Sequence, residues 1–182
     1  IKKQLSQLIA TSDSGETQLI SIGDRSIPVR FRRGPATSRQ LVIGFHGAVN
    51  REIREIPAFI PFLPKMDQFA HQLLISDPSM MLDTDINMAW YSGDVGFRSQ
   101  QILPEFIQTF CDLLNIERTI YFGTSGGGFG ALYYGWHHPD SVVLAGNPQT
   151  KISDYYAGHV RNYRTSCWPG AKDNDAMSQQ IC

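Results

Sequence analysis

Between Glu117 and His138 the chain reads ERTIYFGTSGGGFGALYYGWHH. An apolar, β-forming run breaks at Gly123-Thr124-Ser125-Gly126-Gly127 and resumes as a helix-like stretch of small residues. A G-x-S-x-G at such a junction leaves the backbone little choice. The serine has to sit on a sharp strand-to-helix turn in a strained conformation. Side chains two positions before and after would collide across that turn, which is why Gly123 and Gly127 stand there. The turn lifts the hydroxyl above the strand ends, at the N-terminus of the following helix. There the helix dipole and free N–H groups favour developing negative charge. Two other glycine-rich readings fail. A phosphate-binding loop needs Lys-Ser or Lys-Thr after its glycines and none follows, and Gly126-x-Gly128-x-Gly130 lacks the last spacing of a dinucleotide fingerprint.

The rest of the chain supplies a sheet for this turn. The segment TQLISIGDRSIPVRFRRG predicts two short strands around Gly23-Asp24, and RQLVIGFHG and HQLLISDP predict strands buried on both faces. With ERTIYFG and SVVLAGNP as a third and fourth buried strand, a parallel α/β sheet is expected. Ser99 to Asn115 carries apolar residues at helical spacing, and its Pro104 fits only near the helix start. Pro57, Pro61 and Pro64 keep residues 51–66 irregular, a flap-like apolar segment. The first fifteen residues predict a loose helix, INMAWYSGD a short strand or loop, and residues 150–182 a polar tail.

Ser125 in this setting is a nucleophile, and an acyl group attacked by it passes through an oxyanion that needs two N–H donors. One is expected from Gly126, the residue after the serine. The other is expected from Gly47 or Ala48, since Phe45-His46-Gly47-Ala48 closes an earlier buried strand. His46 itself is read as packing and hydrogen-bonding that loop. A base is harder to find. His137 and His138 close the helix after Ser125, roughly 18 Å away. Asp154 and His159 follow the last strand directly, without the two strands that usually intervene. The expectation is that two further strands, with their acid and base loops, lie beyond Cys182, and Asp154 with His159 is the weaker alternative.

Composition removes several function classes. A net charge of −1 over 182 residues gives no field for nucleic acid or an anionic membrane. No apolar run approaches the roughly 20 residues of a membrane span and none reads as a signal peptide, so a cytoplasmic location is expected. Three cysteines make neither a disulfide framework nor a zinc site, although Cys167 and Cys182 could pair and Cys111 reads as buried. Asp83-Thr84-Asp85-Ile86-Asn87 with Asp94 opens like a calcium loop, but Met88 stands where glycine is required, and no metal is expected. Trp90-Tyr91 suits a sugar or acyl pocket and a core pair equally. Arg30, Arg32 and Arg33 read as a solvated strand edge.

The stretch YFGTSGGGFGALYYGWHHPDSVVLAGNPQTKISDYY resembles the nucleophile region of α/β-hydrolase-fold serine enzymes, in particular bacterial capsule and surface polysaccharide O-acetyltransferases. The turn, the small-residue helix and Asn147-Pro148-Gln149 carry the likeness, which covers roughly residues 40–156. It implies one α/β-hydrolase domain over 1–182, a three-layer sandwich with a mostly parallel sheet that lacks its last strands. It also implies serine-dependent acyl transfer or ester hydrolysis on a saccharide or small O-acyl substrate. No cofactor is implied beyond an acyl donor such as acetyl-CoA. The other reading is a non-catalytic module of this fold in polysaccharide or secretion machinery.

Overall fold

The computed structural model describes residues 1–11 and 15–181. Thr17–Ile22 (β1) and Arg25–Arg32 (β2) form the expected hairpin. Gln40–Phe45 (β3), His71–Ile75 (β4), Arg118–Thr124 (β5) and Val142–Gly146 (β6) complete a six-stranded sheet in the order β1-β2-β4-β3-β5-β6. β3, β4, β5 and β6 run parallel, and β2 joins β4 antiparallel. This is the α/β-hydrolase architecture the motifs implied.

One face is covered by Lys2–Thr11 (α1), Ser99–Leu114 (α2) and Gly126–Trp136 (α3). Leu5, Leu41, Ile43, Phe45, Phe106 and Tyr134 meet there with the inward residues of the sheet in one core. Their alternation along β3 follows the two-residue period of a strand. Ser12, Asp13 and Ser14, at the end of the expected N-terminal helix, lie outside the described residues. Pro104 is the sixth residue of α2, one turn further in than expected, so α2 gives up one backbone hydrogen bond there.

On the opposite face the expected flap is packed down. Ala58 and Phe59 are buried, and Ile60 fills the space over Gly44, where a Cβ would lie 2.6 Å from its Cδ1. The arginines differ from expectation for a related reason. β2 is internal to the sheet, and the Arg30 and Arg32 guanidiniums cover the Phe59 and Phe62 rings at 4.7 and 4.1 Å. Arg33 donates to the Ile9 carbonyl.

Two further expectations are corrected. β6 is not buried: among the described residues it is the last strand of the sheet, with Val142 44% and Leu144 54% exposed. The stretch after Pro148 is not merely a polar tail. Ala157–Cys167 (α4) and Asn174–Ile181 (α5) carry Val160, Tyr163, Cys167 and Met177 into a second core, shared with Trp168 after α4 and with Met80, Met88 and Trp90. Cys111 and Cys167 are buried thiols; Cys182, the suggested partner of Cys167, lies outside the described residues. Residues 86–93 form a loop, with Trp90 and Tyr91 at positive φ. Among the described residues no helix is long and apolar enough to cross a membrane.

Candidate active site

Three neighbouring strands end at one level. Phe45 of β3 is in register with Gly123 of β5, and Thr124 of β5 with Gly146 of β6. The chain leaves β3 toward β4 on one side, while β5 and β6 lie on the other. The crevice between β3 and β5 is therefore the switch point of the sheet, where open α/β sheets hold their ligands.

Ser125 stands in this crevice at φ 56°, ψ −124°, directly before α3. Only dense local bonding holds a non-glycine residue there. Its N–H donates to the Gly146 carbonyl at 3.0 Å, and its own carbonyl accepts from Phe129 N at 3.2 Å and Gln149 N at 3.3 Å. The glycines meet the expected constraint. A Cβ on Gly123 would lie 2.1 Å from the Gly127 carbonyl oxygen, and one on Gly127 would lie 2.4 Å from that of Phe45. Both obstacles are backbone, which cannot swing aside.

The loop after β3 lies against the serine. A Cβ on Gly47 would sit 3.4 Å from Ser125 Cβ and 3.1 Å from the Thr124 carbonyl oxygen. Ala48 follows, exposed, and Val49 N–H donates to the Asn87 carbonyl at 2.9 Å. Among the described residues the N–H groups of Gly47 and Ala48 make no hydrogen bond. Gly126 is the first residue of α3, where backbone N–H groups have no intrahelical acceptor. The structure thus brings Ser125, Gly126, Gly47 and Ala48 together.

His46 lies beneath this loop. Its Nε2 accepts from Asp77 N–H at 3.2 Å, so in the neutral ring the proton sits on Nδ1 and donates to the Gly47 carbonyl at 2.7 Å. Burial holds its pKa down, at about 4. With both nitrogens engaged, it fixes Gly47 and is not a free base. The Asp77 carboxyl accepts from Tyr91 N at 2.6 Å and Ser79 N at 3.1 Å, and burial pushes its pKa up to about 7. The Tyr91 hydroxyl accepts from His46 N at 2.8 Å and donates to the Ile75 carbonyl at 3.0 Å. This buried network pins Trp90 and Tyr91, at φ 54° and 58°, above the elbow.

That pinned loop carries two residues with no recognisable spacing in the sequence. Met88 covers Gly126, where a Cβ would lie 2.1 Å from its Sδ. Trp90, buried, donates its indole N–H to Gln149 Oε1, and Gln149 Nε2 donates to Ser125 Oγ at 3.0 Å. Trp90 therefore belongs to both the core and the site. Gln149 was visible only as part of the turn after β6, because nothing in a linear motif shows where its amide points.

The histidines are divided. His138 pairs with the Tyr121 hydroxyl at 2.6 Å and His137 packs on Tyr133, both at the far end of α3. His159 rests against the Tyr155 ring and lines, with Ala48, Asn50 and Asn87, a cavity of about 520 Å³ beside the loop after β3. Asp154 pairs with Lys151 at 2.9 Å rather than with His159. Among the described residues the Ser125 hydroxyl is bonded to Gln149 alone. Of the calcium-like loop, Asp83 accepts from Ser166 and Asp94 from Arg25 and Ser79. Among the described residues no three or more His, Cys, Asp or Glu side chains cluster so as to hold a metal ion.

No family model matches the chain. No curated protein matches it by sequence. Solved structures do match. A variant of the capsule O-acetyltransferase of Neisseria meningitidis serogroup A, in complex with CoA, superposes with a TM-score of 0.60 at 16% identity, over 97% of this chain and 68% of that one. Another structure of that enzyme gives 0.59 at 17% identity, over 89% of this chain and 65% of that one. A Glycosylation Associate Protein complex from Streptococcus agalactiae gives 0.61 at 18%, over 91% of this chain and 32% of that one. At these identities the likeness shows the α/β-hydrolase fold. The chain spans about two thirds or less of the length of the proteins it matches.

Proposed function

We propose that this chain carries the nucleophile of a serine enzyme that transfers or hydrolyses acyl groups. The observation that carries the reading is Ser125 itself, held at φ 56° on the elbow with its half-buried hydroxyl over the switch-point crevice. The Ser125 oxygen attacks the acyl carbon, and the N–H groups of Gly126 and of Gly47 or Ala48 take the negative charge of the tetrahedral intermediate. The hydroxyl proton passes to a general base as the oxygen attacks. The acyl donor is a small thioester or ester, acetyl-CoA being one such donor, and the acceptor a saccharide hydroxyl or water. Similarity in fold to a capsule O-acetyltransferase supports that choice of substrates.

The test is acylation by an activated aryl acetate, followed by mass spectrometry. One acetyl group is expected on the peptide that carries Ser125 and none in Ser125→Ala; the His159→Ala variant is acetylated as the wild type is. Acetyl groups scattered over lysines, with Ser125 bare, would overturn the reading. One observation favours a second reading, a binding or assembly module of this fold: the hydroxyl is bonded to an amide and not to an imidazole. The same experiment separates the two, since such a module has no reason to acylate at Ser125.

A further inference from the structure

Gln149 is held too firmly to be an incidental neighbour of the serine. Pro148 seats against the start of α3, where a Cβ on Gly128 would lie 2.9 Å from its Cβ. Gln149 N–H donates to the Ser125 carbonyl, and Ser125 N–H to Gly146, so the loop after β6 is fastened to the elbow from both sides. The side chain is then oriented by Trp90. An indole N–H can only donate, so it claims the amide oxygen and leaves the amide N–H₂ facing Ser125. An amide free to turn could offer Ser125 its oxygen instead, and the hydroxyl would spend its proton on it. Here that option is closed.

We propose that Gln149, oriented by Trp90, is a positioning residue for the nucleophile: it donates to Ser125 Oγ, leaves the hydroxyl proton free for a base, and stabilises the oxygen as it becomes anionic. A hydrogen bond donated to the charged form of a group favours that form. The inference rests on the reading of Ser125 as nucleophile, but it has a test that needs neither the base nor a substrate.

In Ser125→Cys the thiol takes the place of the hydroxyl, and its pKa is read from the pH dependence of iodoacetamide alkylation at the peptide carrying position 125. Cys111 and Cys167 are buried and appear in other peptides. Adding Gln149→Leu raises that pKa by about one unit, through loss of a donor to the thiolate. Adding Trp90→Phe raises it less, because the amide can then turn either way. Adding Gln149→Glu raises it most, since a carboxylate replaces the donor. Equal pKa values in all four proteins overturn the proposal. If Gln149→Leu fails to fold, Trp90→Phe and Gln149→Glu decide alone. An unacylated wild-type Ser125 would contradict the proposed function and leave the thiol titrations to decide the role of Gln149.

Discussion

At the scale of single residues, the site depends on contacts that tolerate no added atom. Gly123 and Gly127 face backbone oxygens at 2.1 and 2.4 Å from where a Cβ would stand. Gly123→Ala and Gly127→Ala should each lower the stability measured by urea unfolding by about 2 kcal/mol or more, since the obstacles cannot rotate away. Gly158 in α4 has nothing within 4 Å, and Gly158→Ala should raise stability by about 0.5 kcal/mol. Equal effects at the three positions would contradict the packing described for the elbow. The need for glycine at 123 and 127 was legible in the sequence, because the turn's geometry is local. The need at 126 was not, because it is Met88, thirty-eight positions earlier, that occupies the space. Gln149 escaped for the same reason: its role comes from Trp90, a contact across sequence.

At the scale of elements, the loops that leave β3 and β4 are tied by His46 and Asp77, whose titrations act in opposite senses. The folded chain holds His46 down at about 4 against an ordinary 6.5, so between those values the unfolded chain binds a proton that the folded chain refuses. Its contribution is present above pH 6.5 and is lost on acidification. Asp77 is held up at about 7 against an ordinary 3.8, so over that interval the folded chain keeps a proton that the unfolded chain releases. Its contribution is present near pH 4 and is lost as the pH rises to 7. Urea midpoints measured from pH 4 to 7.5 should therefore diverge. Relative to wild type, Asp77→Asn loses most at the acid end, and His46→Gln loses most at the neutral end. Parallel curves for the two variants would show that neither group titrates as its burial dictates. Strand and helix positions were largely readable, since they follow from hydrophobic period. The burial of β6 was not, because VVLAG reads the same at a sheet's centre and at its edge. The helices after Pro148 were missed because their core is built from tyrosine, tryptophan, cysteine and methionine amid polar residues.

At the scale of the molecule, the sheet is covered unevenly. Helices α1, α2 and α3 close one face, and among the described residues Phe59 and Ile60 lie over Arg30 and Gly44 on the other. Ile120 and Phe122 are partnered in register by Val142 and Leu144 on that second face, and among the described residues Leu144 remains 54% exposed. Among the described residues this apolar surface lies beside a β6 edge with no strand paired to it, and such a surface invites association. Leu144→Lys should reduce concentration-dependent self-association in analytical ultracentrifugation while shifting stability by no more than about 0.5 kcal/mol. Unchanged association would place the sticky surface elsewhere.

The central claim is that Ser125 is a reactive nucleophile on a formed elbow. Labelling by a fluorophosphonate probe tests it most directly, because the reagent reports a serine made reactive by its turn and a general base and needs no natural substrate. The account predicts covalent labelling at Ser125, abolished by Ser125→Ala and slowed by Gln149→Leu. Labelling that survives in Ser125→Ala, or a wild-type chain that does not react, would contradict it.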